Sequence, residues 1–115
     1  MPVLQPGELE QARAATARVG VSEAISSYIV SVARQTRQHA AIWVGAGPRA
    51  KLALLSASRA LAALEERDFV LPEDIKTLAT PVLEHRMLLR PEFEMESVEM
   101  CEVIKTVLEA VEVPR

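Results

Sequence analysis

Residues Gly45 to Leu64 read GAGPRAKLALLSASRALAAL, a turn bearing glycine and proline that passes into a nearly continuous apolar run. Proline suits the first position of a helix, where its missing N–H would have no partner, and glycine is a tolerable N-cap. A helix is therefore predicted to begin at Pro48 with Gly47 before it. From Ala50 onward Leu52, Leu54, Leu55, Ala57, Ala60, Leu61 and Leu64 point in nearly every direction around the axis, which predicts a central helix surrounded by others. Its first turn carries Arg49 and Lys51, placed where the helix dipole is already positive. Free backbone N–H groups, the dipole and two cations together describe a phosphate site. Two cations extending into water fit the same residues.

Upstream, residues 1–6 read as an extended lead closed by Pro6 and Gly7. Leu9, Ala12, Thr16 and Val19 then share one face of a first helix, which is expected to pack on that side only. Ser22 is a good N-cap, and Glu23 puts a carboxylate into the first turn of a second helix. Ile25, Tyr28, Ile29, Val32, Ala33 and Thr36 follow its three-and-four spacing. Arg34 and Arg37 near its end are accounted for by the dipole and a solvated face. The segment His39 to Gly45 reads as a loop packing inward, with Trp43 as its buried anchor.

Downstream, Glu65 to Asp68 is a polar break, and Phe69 and Val70 are predicted to be a short extended piece. Pro72 starts another helix, with Glu73 and Asp74 in its first turn. Ile75, Leu78, Ala79, Val82 and Leu83 keep helical phase across Pro81, so the helix is expected to run through that proline. Met87 to Leu89 is expected to pair as a strand with Phe69 and Val70. Arg90 to Glu96 reads as a charged loop, after which Ser97 is expected to cap a last helix. That helix presents Met100, Val103, Ile104, Val107, Leu108 and Val111 on one face. The expectation is an all-α bundle of about five helices with one short two-stranded pairing, residues 1–115 forming a single domain.

Composition supports this reading. Half of the 115 residues are hydrophobic but only 3% are aromatic, which favours helices packed through aliphatic side chains. A formal net charge of −3 argues against a general nucleic-acid binder. No apolar run approaches the ~20 residues that span a bilayer, and the first residues lack the basic and apolar regions of a signal peptide, so a cytoplasmic protein without membrane insertion is expected. Cys101 is the single cysteine, which excludes cysteine-rich zinc patterns, and it reads as a structural thiol. His39 and His85 are the only histidines, with no metal-ligand spacing around them. There is no phosphate-binding loop of the G-x-x-x-x-G-K-[ST] type, no H-E-x-x-H and no nucleophile elbow. The chain by itself is expected to hydrolyse nothing.

Taken in order, SSYIVSVARQTRQH (Ser26 to His39), GAGPRAKLALLSASRALA (Gly45 to Ala62), ERDFVLPEDIKTLATPVLEHRMLL (Glu66 to Leu89) and the last helix resemble the small C-terminal lid of the MoxR-type AAA+ ATPases. The most specific parts are Gly-Ala-x-Pro-Arg-Ala at Gly45 to Ala50, Arg-Asp-Phe-Val then Pro-x-Asp at Arg67 to Asp74, and Val-Leu-x-His-Arg at Val82 to Arg86. The resemblance implies that Arg49 is the sensor-2 arginine, and that Gly47, Pro48 and Arg49 face the phosphates of ATP. It further implies an AAA+ core domain holding the magnesium ion, neighbouring subunits of a ring, and a client protein. The chain departs from the family pattern at Gly47, where serine is usual, and at Glu66, where glycine is usual. Two readings from other classes stay open at this point. A histone-fold protein shares the helix, strand and Pro-Glu-Asp succession, and a free-standing helical interaction module would have no use for cations at the Pro48 helix start.

Overall fold

The structure, a computed structural model, describes residues 3–114. Among them six α-helices follow one another: α1 (Glu8–Ala17), α2 (Glu23–Gln38), α3 (Pro48–Leu64), α4 (Pro72–Leu83), α5 (Pro91–Met95) and α6 (Met100–Ala110). Strand β1 (Ile42–Val44) lies between α2 and α3, and β2 (Leu88–Leu89) follows a 3-10 turn over Glu84–Arg86 at the end of α4. The all-α expectation holds. The first two residues of the expected lead lie outside the described residues.

Helix α2 has the periodicity read from its sequence. Ser22 Oγ accepts the Ile25 N–H at 3.2 Å, and Ile25, Tyr28, Ile29, Val32, Ala33 and Thr36 are all buried. Helix α6 packs against α2 and α4 through Val103, Ile104 and Val107. Helix α3 touches α4, α1 and α2, yet it is not encircled as expected. Ala50, Leu54, Ser58 and Ala62 form one buried stripe, while Leu52 and Leu64 are exposed. Its many alanines make the helix look apolar all round, but alanine favours a helix without requiring burial. Helix α1 buries none of its residues and rests on α3, where Leu9, Ala12 and Thr16 share a shallow groove with Ser56, Arg59 and Ala60.

The strand pairing corrects the expected one. Leu88 and Leu89 run antiparallel to β1, with Ile42 opposite Leu89 and Val44 opposite Leu88. Phe69 instead pairs with Gly20: the Gly20 N–H donates to Asp68 O at 2.7 Å, and the Val70 N–H donates to Gly20 O at 3.0 Å. Because β1 is extended, its side chains alternate. Ile42 turns inward, and Trp43, expected as a buried anchor, is 62% exposed.

Helix α4 does run through Pro81 to Leu83. Its start depends on Asp74, which is 3% exposed and whose Oδ2 accepts the Leu71 N–H at 2.8 Å. Asp74 also takes a two-pronged contact from Arg67, at 2.8 and 2.6 Å. The Arg-Asp-Phe-Val, Pro-x-Asp segment is thus held closed by its first and last residues. Burial alone pushes the Asp74 carboxyl up, but the hydrogen bonds from Arg67 and the Leu71 N–H, with the Arg67 charge, outweigh it and hold its pKa below the ordinary value. The Arg67 contact to Glu65 at 2.6 Å is more exposed and adds little.

Two helix ends share one geometry. After α3, the Arg67 N–H reaches Ala62 O and the Glu66 N–H reaches Ala63 O, with Glu66 in the left-handed region at φ 59. After α5, the Val98 N–H reaches Phe93 O and the Ser97 N–H reaches Glu94 O, with Ser97 at φ 61. Both are Schellman closures, in which glycine is the usual left-handed residue. Ser97 is therefore not the cap of the last helix as expected. It ends α5, a short helix formed where a loop was expected, and Glu99 precedes α6.

Glu66→Gly is expected to raise stability by about 1 kcal/mol, since it relieves a side chain held at positive φ; a lower or unchanged denaturation midpoint would count against the closure. Asp74→Asn is expected to destabilise at neutral pH by about 1–3 kcal/mol. A carboxyl with a lowered folded pKa contributes stability above its ordinary value of 3.8 and loses it as pH falls through the folded value. The difference between the wild type and Asp74→Asn should therefore shrink below about pH 4 in urea titrations.

Candidate functional site

The start of α3 is positioned by the last turns of α2. The Thr36 hydroxyl is buried, donates back to Ala33 O, and accepts the Ala46 N–H at 2.9 Å. Arg37 Nη1 donates to Ala46 O at 3.0 Å. Both backbone polar groups of Ala46 are thus taken by neighbouring residues of one helix. Arg37, read from the sequence as a solvated cation, is a clamp. Gly45 permits the approach, because a Cβ there would lie 2.9 Å from both Arg37 N and Arg37 Cα.

Gly47 follows with extended backbone and no side-chain cap, and Pro48 occupies the first turn, as expected. The Lys51 N–H is taken by Gly47 O at 3.1 Å. The Arg49 and Ala50 N–H groups belong to the helix start, which has no intrahelical acceptors for them. Arg49 is exposed and makes no hydrogen bond or ion pair among the described residues. Beside it lies an open concavity of about 600 Å³ lined by Gly47, Pro48, Arg49, Ala50 and Arg86.

The structure therefore brings together Gly47, Pro48 and Arg49 and adds Arg86, which the sequence placed only in the Val-Leu-x-His-Arg motif. Arg86 ends the 3-10 turn after α4, between the buried Leu83 and Met87. Both flanks of the turn are anchored in the core, and Arg86 lines one concavity with the start of α3. Lys51 lines a neighbouring apolar groove with Ser26, Ile29, Val30, Pro48, Leu52 and Leu55, which shares only Pro48 with that concavity. The site is a cationic surface at an uncapped helix start, suited to a phosphate group.

Other reactive side chains are committed differently. Cys101 is half-buried, and burial together with the Glu99 carboxylate, 3.7 Å from its Sγ, pushes the thiol pKa up, the opposite of an activated nucleophile. His39 Nδ1 accepts the Ala41 N–H at 3.0 Å. Among the described residues no three His, Cys, Asp or Glu side chains come together in a way that could hold a metal ion. No helix there is long and apolar enough to cross a membrane.

Gly45→Ala is expected to cost about 1–3 kcal/mol, because the added Cβ meets the α2 backbone and forces the turn outward. Gly47→Ser, where nothing lies within 4 Å of the added Cβ, is expected to stabilise by a few tenths of a kcal/mol through a side-chain cap. Thermal melts of the two variants check the contrast, and equal effects would show that the approach to α2 is not the constraint.

Comparison with known proteins bears on the same residues. The model of the AAA lid domain family matches residues 34–107. The uncharacterized protein YeaC of Bacillus subtilis is 40% identical over 96 residues, covering 84% of this chain and 30% of that protein. Chaperone MoxR1 of Mycobacterium tuberculosis is 32% identical, over 98% of this chain and 32% of its own length. The crystal structure of a candidate ATPase from Cytophaga hutchinsonii is similar with a TM-score of 0.83 and 32% identity, over 89% of this chain and 34% of that one. The chain thus spans roughly a third of the length of these relatives. The helical order, the motifs that carry it and the family model agree: the chain belongs to the AAA lid domains, and among them to those of the MoxR family.

Proposed function

We propose that this chain closes over the nucleotide of a MoxR-type AAA+ ATPase and that Arg49 serves as its sensor-2 arginine, reaching the terminal phosphates of ATP. The observation that carries the reading is Arg49 itself. It stands exposed in the first turn of an uncapped helix, beside a concavity that no carboxylate lines. A cation there opposes the helix dipole by a few tenths to about 1 kcal/mol, so its place is better explained by an anion than by folding.

The residues present fit the phosphates. Gly47 and Pro48 form the turn, the helix start offers free N–H groups, and Arg49 supplies charge and direction. Bound ATP supplies the phosphoanhydride to be cleaved, and the magnesium ion belongs to a core domain carried by the same protein. This chain contributes a positive charge held where negative charge grows on the phosphate oxygens. Trp43 and Val44, just before this turn, and Leu88, just after Arg86, are left exposed, as befits side chains that a core domain covers. Neighbouring subunits of a ring and a client protein complete the assembly in a soluble, chaperone-like ATPase of the cytoplasm.

In the ATPase carrying this lid, Arg49→Ala is expected to lower ATP turnover about a hundredfold to a thousandfold while the melting temperature of the domain is not lowered. Lys51→Ala is the control, since a helix places it about 200° further round and the structure sets it in a different groove. Unchanged turnover in Arg49→Ala, with normal assembly, would reduce Arg49 to a surface cation.

A further inference from the structure

Two arginines from separate elements line one concavity, Arg49 from the first turn of α3 and Arg86 from the turn that closes α4. Neither has a hydrogen-bonded or ion-paired partner among the described residues, and the remaining lining residues are Gly47, Pro48 and Ala50. In a chain with 16 acidic residues against 13 basic ones, a concavity with two arginines and no carboxylate is not what an even mixture of charges would produce. Like charges repel, and the helix start adds a third source of positive potential. An anion carrying more than one charge would relieve this concentration of positive potential. A single phosphate is already matched by one arginine and the helix N–H groups. A second arginine beyond it suits a longer anion.

We infer that Arg86 is a second phosphate-binding residue of this site, and that Arg49 and Arg86 together recognise a triphosphate in preference to a single phosphate. This rests on the reading of Arg49 as a phosphate ligand and adds a residue and a selectivity to it. The turn is suited to the task because buried Leu83 and Met87 hold it at both ends, so Arg86 starts from a fixed backbone and orders only its own side chain on binding.

The test uses the 115-residue chain itself, with sodium tripolyphosphate, ATP, AMP and inorganic phosphate as probes and the arginine Nε–Hε signals in nitrogen–proton NMR spectra as readout. The Arg49 and Arg86 signals are expected to move along one shared isotherm with tripolyphosphate and with ATP, each binding about tenfold tighter than AMP or inorganic phosphate. Arg86→Ala is expected to weaken tripolyphosphate binding about tenfold, remove most of that preference and leave the thermal midpoint unchanged. A response at Arg49 with Arg86 silent, or unaltered selectivity in Arg86→Ala, would overturn this inference and leave the role of Arg49 standing. Silence at both arginines would overturn this inference, while the turnover of Arg49→Ala in the ATPase decides the role of Arg49 separately. Equal shifts at the exposed Arg34 and Arg90, outside the concavity, would show unspecific anion binding and overturn the pairing.

Discussion

The backbone of Ala46 is the point on which the site depends. Its N–H goes to Thr36 and its carbonyl to Arg37, so one turn of α2 holds both polar groups of a buried residue in the segment that becomes α3. Leaving either group unpaired in the core would cost on the order of 1–3 kcal/mol, which makes the register of the turn a property of the whole core. Gly45 permits this approach by having no side chain. The orientation of Pro48 and Arg49 follows, since a helix start is directed by the residues that enter it.

A second constraint works at the far end of α3. The Schellman closure at Glu66 reverses the chain, and Arg67 then spans the turn to Asp74 at the start of α4. The contact is two-pronged and Asp74 is nearly inaccessible, so it specifies geometry more than a surface ion pair does. It ties the end of α3 to the start of α4. Because the 3-10 turn carrying Arg86 continues from α4, the position of Arg86 relative to Arg49 is settled by this pairing as well as by the core. The Arg67 to Asp74 motif thus has a structural role, which bears on the place of Arg86.

Much of the fold was legible from local chemistry. The apolar spacing of α2 and α6, the proline and glycine at the start of α3, and the phase carried through Pro81 all depend on residues within a turn or two of one another. The cation at the α3 start was legible for the same reason. The left-handed closures were less so, since Ser97 has the chemistry of an N-cap and only its hydrogen bonds reveal that it ends the preceding helix.

By itself, then, the sequence determined the helical class, the main helix starts, the absence of a phosphate-binding loop and the place of Arg49, because helix periodicity and end chemistry are local. Tertiary structure decided what depends on distant partners. It paired β2 with β1 rather than with Phe69 and Val70, turned Trp43 to the surface, left two leucines of α3 exposed, and made Arg37 a clamp. It also brought Arg86 to the concavity of Arg49. Those outcomes follow from how packed helices divide space among themselves, and nothing in the spacing along one segment records which residue of another will stand beside it.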